Sequence, residues 1–201
     1  MNNHVFYIMS EKYTNYAVLE CPYSQPYSKD ICSICGSIST IRTNPIIQTR
    51  FFGKKEADYF YDSSFITHLV SPELLRTLKE AGITGFYDQK TDFIDWIDRS
   101  TGKTLNIDGS KYREIIITGR GGYLTDLDGN RIPYCEKCGK IDSFGIHAYK
   151  GFSTDDWDGN DMFFLKNWPG RLLVTEKVKK IITKNRFKNV NFELLKDYTF
   201  A

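Results

Sequence analysis

The distribution of apolar residues divides the chain into short predicted strands. Residues 4–10 (HVFYIMS) and 15–21 (NYAVLEC) have the aromatic and β-branched content of strands. Two more strands are predicted at 103–107 (KTLNI) and 112–119 (YREIIITG), the latter suited to a buried position by its three consecutive isoleucines. The stretch 22–30 (PYSQPYSKD), rich in proline and serine, is predicted as loop. We therefore expect a sheet-rich protein.

Two longer segments, 65–89 and 171–195, share the order strand, helix, returning strand. In the first, Ser71 can cap the helix, Pro72 suits its first position, and Gly82 can end it in a left-handed conformation. A shift of 104 positions superposes the apolar and capping residues of the two segments: Val70 and Val174, Ser71 and Thr175, Leu74 and Val178, Leu78 and Ile182, Ile83 and Phe187, Phe86 and Val190. An internal duplication or the general likeness of capped amphipathic helices accounts for this match. In both cases the segments are scaffold.

Composition and charge restrict the class of protein. The 201 residues are 41% hydrophobic and 26% charged, as in soluble globular chains, which favours a single domain over residues 1–201. The net charge of +2 lacks the basic excess of a dedicated nucleic-acid binder. No signal peptide or long apolar segment is found, so we expect a cytoplasmic protein without a membrane partner.

The most specific motif occurs twice, as CSICG at 32–36 and CEKCG at 135–139. In a reducing compartment, closely spaced cysteines bind metal or perform redox chemistry more often than they form disulfides. Two CxxC knuckles supply the four thiolates of a structural zinc site, and the glycine after each allows the backbone to fold back. We predict a Zn²⁺ site with the ligands Cys32, Cys35, Cys135 and Cys138. A redox pair and unpaired buried cysteines are the alternatives, and Cys21 is predicted to be a small buried side chain.

The spacing of the motifs indicates what the metal does. With 99 residues between Cys35 and Cys135, the ion must join two distant parts of the chain. Four protein ligands leave no coordination position for water or substrate, so the site is predicted to be structural. The expected architecture is an α+β fold with a mixed sheet, two similar strand-helix units and a four-cysteine zinc-knuckle staple.

No sequence pattern of catalysis is found. The histidines at 4, 68 and 147 are scattered, and neither GxSxG nor HExxH occurs. The glycine-rich segment 119–131 fits no phosphate-binding pattern, and its DLDGN, like DDWDGND at 155–161, lacks the ligand spacing of an EF-hand. We expect a protein that is not an enzyme, although a catalytic site assembled only by the fold leaves no such pattern.

The paired motifs, the capped helix between them and the stretch 161–195, with Asp161 and Phe163 at its start, resemble the double-CXXCG motif proteins. The resemblance covers residues 30–195, and the part before Cys32 is less typical. Members of that family are described as immunity proteins of bacterial polymorphic or contact-delivered toxin systems, including those of myxobacterial swarm inhibition. The resemblance implies a small cytoplasmic protein that binds and neutralises one cognate protein toxin, for example a nuclease.

Two surface segments are candidates for partner binding. Asp155, Asp156, Trp157 and Asp158 form an acidic loop with one aromatic residue, which suits a basic nuclease groove, although such a loop is also typical of a solvated turn. Lysines follow helical spacing in the C-terminal segment: Lys177, Lys180, Lys184 and Lys188. They support an alternative function, a zinc-ribbon nucleic-acid-binding or regulatory protein that uses the basic C-terminal helix. The near-neutral charge and the distance between the knuckles make nucleic acid the less favoured partner.

Overall fold

The computed structural model describes residues 4–12, 15–22, 27–126, 128–141 and 151–198. Within these ranges the protein is rich in sheet, with two nine-residue helices, α1 (Pro72–Glu80) and α2 (Glu176–Lys184), and a 3-10 helix at Leu195–Asp197. The strands are β1 (Phe6–Glu11), β2 (Val18–Glu20), β3 (Tyr27–Ile31), β4 (Ile38–Arg42), β5 (Gln48–Phe52), β6 (Tyr59–Asp62), β7 (Thr67–Val70), β8 (Phe86–Lys90), β9 (Asp92–Ile97), β10 (Arg113–Ile117), β11 (Gly119–Arg120), β12 (Tyr123–Thr125), β13 (Gly151–Ser153), β14 (Met162–Leu165), β15 (Trp168–Thr175) and β16 (Val190–Leu194).

The described strands form five sheets. The largest has the order β11-β14-β15-β1-β16, and the next has the order β6-β7-β10-β8. A three-stranded sheet, β2-β5-β9, and the pairs β12-β13 and β3-β4 complete the set. β11 pairs parallel to β14 and β5 parallel to β9, whereas the other ladders are antiparallel. The expected α+β class with mixed sheet is met in this general form, but the strands are divided among several sheets.

In each of the two larger sheets, a helix connects two strands of the sheet in sequence, and a third strand lies between these two strands. β10 lies between β7 and β8 and runs antiparallel to both. β1 lies between β15 and β16 and runs antiparallel to both. β10 follows its unit in the chain, whereas β1 precedes its unit by more than 150 residues. Strand β1, near the N-terminus, therefore pairs with strands from the C-terminal part of the chain.

Two aspartates make reciprocal contacts between these units. Asp58 accepts hydrogen bonds from the Ser71 hydroxyl, which precedes α1, at 2.8 Å and from the N–H of Lys188, which follows α2, at 2.7 Å. Asp161 accepts from the Thr175 hydroxyl, which precedes α2, at 2.8 Å and from the N–H of Thr84, which follows α1, at 3.3 Å. Each carboxylate therefore joins the start of one helix to the segment after the other.

The helices share one apolar core with the two larger sheets. Leu74 and Leu78 of α1 and Val178 and Ile182 of α2 are buried in a cluster that also includes Ile115 of β10. The apolar spacing predicted for both helices is confirmed at these positions. Burial of such side chains supplies roughly 1.5–3 kcal/mol each, so this shared core holds the two sheets together.

One loop prediction is wrong in part, and one strand prediction is wrong. Residues 22–30 were predicted as loop, but β3 begins at Tyr27; residues 23–26 lie outside the described part. β3 has little apolar alternation and is exposed along its length, so pairing with β4 decides its conformation. The predicted strand 103–107 is absent, and Thr104 makes a single bridge with Ile97. The Asp98 carboxylate organises the turn that precedes this segment. It accepts hydrogen bonds from the Ser100 N–H and from the hydroxyls of Ser100 and Thr101.

The helix starts differ in detail. Ser71 caps α1 as predicted, because its hydroxyl oxygen accepts from the Leu74 N–H at 3.2 Å. The hydroxyl of Thr175, which precedes α2, caps no helix N–H and donates to Asp161. Gly82 has a positive φ of 60° after α1, as its predicted role requires. Among the described residues no helix combines the length and apolar content needed to cross a bilayer.

Candidate metal centre

The first knuckle, Cys32–Gly36, is the turn of the β3-β4 hairpin. The Cys32 N–H donates to the Ser37 carbonyl at 2.9 Å, and the Gly36 N–H donates back to the Cys32 carbonyl at 2.9 Å. Gly36 has a φ of 69°, which a side chain would strain. The tight turn therefore places both cysteines of the motif at the tip of the hairpin, between β3 and β4.

The second knuckle, Cys135–Gly139, repeats this geometry within a bridge between Tyr134 and Ile141. The Cys135 N–H donates to the Lys140 carbonyl at 2.9 Å, and the Gly139 N–H donates to the Cys135 carbonyl at 2.7 Å. The φ of Gly139 is 72°. Both glycines therefore have the positive φ expected from the sequence.

The two knuckles face each other, and the structure brings together all four predicted cysteines. Their sulfur atoms lie within 4.8 Å of one another. The Sγ atoms of Cys32 and Cys135 are 3.7 Å apart, and those of Cys35 and Cys138 are 3.5 Å apart. A tetrahedron with Zn–S bonds of about 2.3 Å has edges of about 3.8 Å, so the spacing of the thiols suits a tetrahedral ion of that size.

Backbone N–H groups point at the sulfur atoms. The N–H groups of Cys35 and Ile34 lower the pKa of the Cys32 thiol. The Ser37 hydroxyl and N–H lower the pKa of Cys35 to about 6. The Lys140 N–H also lowers the pKa of Cys138, but partial loss of hydration beside the other knuckle and hydrogen bonds to the other three thiols together raise it to about 11. Four thiolates at this spacing repel one another, so a cation is needed for all four to ionise together.

Burial is uneven across the site. Cys32 is buried and Cys135 is half-buried, whereas Cys35 and Cys138 are exposed. Lys137 of the second knuckle donates to the Ser33 hydroxyl of the first at 2.9 Å. The four thiols by themselves can hold a metal ion. The hydrogen bond between Lys137 and Ser33 is a further contact between the two knuckles, on the solvent side.

An ion pair anchors the other end of the hairpin. Arg42, the last residue of β4, donates two hydrogen bonds to Glu114 of β10, at 2.9 and 3.1 Å. Glu114 is only 1% exposed and also accepts from the Gln89 amide at 2.7 Å. Sequence reasoning missed this contact, since an arginine and a glutamate 72 positions apart carry no local pattern. The hairpin is therefore held at its base by charge and at its tip by the four-cysteine site.

The acidic loop 155–158 is largely engaged within the protein. Trp157 is partly buried and packs its ring against Phe6 and Phe163 of a core cluster, with centroids 5.0 and 5.8 Å away. Asp156 pairs with Arg131 at 3.5 Å, and Asp158 accepts the Arg120 N–H at 2.7 Å. Asp155 is exposed. Asp156 and Asp158 are exposed as well, although both have partners within the protein.

The lysines of α2 also have internal partners. Lys177 donates to Asp161 at 3.1 Å, and Lys180 pairs with Glu176 at 3.2 Å. Lys179 lies 3.9 Å from the centre of the Tyr7 ring. Lys184 is exposed in the last turn, and Lys188 donates its N–H to Asp58. Lys177, Lys179 and Lys180 therefore contact other groups of the same protein.

The histidines do not approach the cysteines within the described part of the chain. His68 is buried, its Nδ1 lies 2.7 Å from the Tyr59 hydroxyl, and burial lowers its pKa to about 3. His4 lies against Trp157, and His147 is outside the described residues. Cys21 is buried as predicted, and burial raises its thiol pKa well above the usual range.

No family model matches the chain, and no curated protein matches it at a significant level.

Proposed function

We propose that this chain is a non-enzymatic immunity protein that binds and neutralises one cognate bacterial toxin, with zinc as a structural cross-link. The convergence of both CxxCG knuckles on one four-thiol site carries the proposal. The same paired motifs are part of the sequence resemblance to the double-CXXCG motif proteins, and we propose on this ground that the chain belongs to that family.

The chemistry of the site supports zinc in a structural role. Four cysteine thiolates, with N–H groups directed at three of the sulfur atoms, are typical ligands of structural zinc. Protein side chains supply the full tetrahedral set, which leaves no position for a substrate. A cytoplasmic location, where thiols stay reduced, belongs to the same proposal.

We also infer that the two strand-helix units are equivalent copies. The reciprocal contacts of Asp58 and Asp161 support this, because both carboxylates serve the residue before one helix and the segment after the other. In this interpretation the paired units form a symmetrical scaffold. Recognition of the toxin then falls to the parts outside them, above all the hairpin that carries the first knuckle.

The alternative, a nucleic-acid-binding zinc ribbon that uses α2, has weaker support. Lys177, Lys179 and Lys180 are occupied by contacts within the protein. The net charge of +2 provides little long-range attraction to phosphates.

Co-expression with the toxin candidate encoded beside this chain tests the proposal. We expect survival of cells that otherwise die, and co-purification of the toxin in a stable complex. An inactive toxin variant serves as the control, since it should co-purify without affecting growth. Absence of both rescue and complex, with the toxin active and this protein folded and metal-loaded, would contradict the proposal. Binding to nucleic acid that weakens steeply with salt would favour the alternative.

A further inference from the structure

The hairpin that carries the first knuckle has an unusual surface. More than half of the strongly exposed large apolar side chains in the described chain lie between residues 27 and 46: Tyr27, Ile31, Ile34, Ile38, Ile41 and Ile46. Ile31, Ile34 and Ile38, next to the cysteine site, are 65%, 70% and 63% exposed. Ile31 lies opposite Ile38 in the hairpin, and Tyr27 is on the same face, so three of these side chains share one face of the hairpin. Exposed apolar surface of this kind marks interaction sites.

The backbone of β3 is available along one edge. Among the described residues β3 pairs only with β4. The Cys32 N–H bonds the Ser37 carbonyl, and hydrogen-bonded pairs alternate along an antiparallel ladder, so Asp30 and Ser28 also point their N–H groups toward β4. The N–H and C=O groups of Tyr27, Lys29 and Ile31 therefore point outward. All five residues of β3 are exposed, which leaves room for another strand.

Side-chain chemistry restricts what can occupy this edge. Tyr27, Lys29 and Ile31 share one face of the strand because side chains alternate. A strand added beside them fits best with apolar residues opposite Tyr27 and Ile31 and an acidic residue opposite Lys29. A second copy of this chain fits poorly, since the fullest antiparallel self-pairing of β3 is centred on Lys29 and sets two lysines against each other.

We propose that the free edge of β3 is the docking site for an extended segment of the protein partner, which adds to the hairpin as a third strand and places an acidic side chain opposite Lys29. This deepens the proposed function and rests on it for the identity of the partner, the toxin. The four-cysteine site and the Arg42–Glu114 pair hold the two ends of the hairpin, so the edge is preorganised before binding.

A synthetic peptide tests the edge without the toxin. The probe is a capped nonapeptide of alternating valine and threonine with glutamate at its centre, and the readout is amide hydrogen exchange in the metal-loaded protein. We expect added protection at the amides of Tyr27, Lys29 and Ile31, and weaker binding of a peptide with lysine at its centre. No protection there, or equal protection by both peptides, would overturn the proposal. Protection that rises with protein concentration alone would show a second copy on the edge and also contradict it.

Three variants make the test specific. Lys29→Pro removes one outward N–H but no bond to β4, and proline is tolerated at such edge positions, so peptide affinity should fall about tenfold or more. Lys29→Glu, which changes no backbone group, should reverse the preference between the two peptides. Ile94→Glu, at an exposed isoleucine on edge strand β9, is the control and should leave binding unchanged. If all three variants bound the glutamate peptide with the affinity of the wild type, the proposal would be overturned.

Failure of this inference is distinguishable from failure of the proposed function. If cells that express Lys29→Pro survive the toxin as well as the wild type, the immunity function holds and the edge is not its docking site. If the peptide binds β3 as expected but the toxin is neither bound nor neutralised, the edge is a docking site and the toxin is the wrong partner.

Discussion

At the scale of single residues, Glu11 carries a carboxyl group into the interior. It is 6% exposed and accepts hydrogen bonds from the Tyr61 N–H at 3.1 Å and the Asn189 side chain at 3.2 Å. Burial raises the pKa of Glu11 to about 7, although the two hydrogen bonds oppose the shift and the charge of Asp62 adds to it. The carboxyl is therefore protonated in the folded protein at a pH where an unfolded chain ionises it.

The shift predicts how stability depends on pH. Because the pKa is higher in the folded state, Glu11 stabilises the fold fully below its unfolded pKa of about 4.5, and this contribution is lost as pH rises through about 7. Glu11→Gln keeps the acceptor oxygen but does not ionise. The wild type loses this contribution between pH 5 and pH 8 and the variant does not. The free energy of unfolding of Glu11→Gln minus that of the wild type should therefore increase by on the order of 3 kcal/mol over this range. Urea unfolding at the two pH values measures this.

Other titrating groups do not confuse the comparison. His68, whose pKa is lowered to about 3 by burial, destabilises the fold as pH falls below the value of a free histidine, but it does so in both proteins. Glu193→Gln, at an exposed position on the adjacent strand β16, is the matched control and should show no such change. A pH-independent difference for Glu11→Gln would contradict the assignment.

At the scale of elements, polar contacts at the helix starts orient the two strand-helix units. Sequence analysis predicted the helices because apolar spacing and capping residues are local signals. It could not find the contacts of Asp58 and Asp161. Each carboxylate contacts a helix start more than ten residues away and a second segment that is still more distant in the sequence. Polar residues with distant partners have no sequence period.

The reciprocal arrangement predicts similar costs for two distant substitutions. Asp58→Ala and Asp161→Ala each leave a hydroxyl and a backbone N–H without their acceptor, so each should lower the free energy of unfolding by about 1–3 kcal/mol. Asp161→Ala also removes the partner of Lys177, a half-exposed ion pair that adds little to this cost. Asp108→Ala also removes the acceptor of a hydroxyl and a backbone N–H, those of Ser110, but both residues are exposed and water can replace the carboxylate. It is the control and should cost less than about 0.5 kcal/mol. Chemical denaturation measures all three. If either interior variant unfolded at the wild-type denaturant concentration, the reciprocal contacts would not orient the units.

At the scale of the whole molecule, the four-cysteine site joins a hairpin near the N-terminus to a turn about a hundred positions later. A cross-link that closes so long a loop removes much conformational freedom from the unfolded chain. Loss of one ligand should therefore affect metal content and global stability together. The Arg42–Glu114 pair remains in place, so the hairpin should stay attached at its base.

Cys135→Ser tests this cross-link. We expect less bound zinc and a free energy of unfolding lower by about 2–5 kcal/mol, which corresponds to a fall of about 2–4 °C in Tm per kcal/mol. Metal analysis and thermal unfolding of the same samples provide the two values. Cys21→Ala is the control, because it alters a buried cysteine outside the site and should keep full metal content. Full zinc occupancy with an unchanged Tm in Cys135→Ser would show that the site is no cross-link.

The sequence by itself determined the features that depend on neighbouring residues. The two helices and the cap at Ser71 follow from local propensity and apolar spacing, and the paired CxxCG motifs identify four cysteines that meet in space. Only the tertiary structure decided that β3 is a strand, since its polar residues extend because β4 pairs with them. The same holds for the packing of Trp157 against a core cluster and for the partners of Glu114, Asp58 and Asp161. Their energies come from contacts between residues far apart in the chain, and such contacts leave no local pattern.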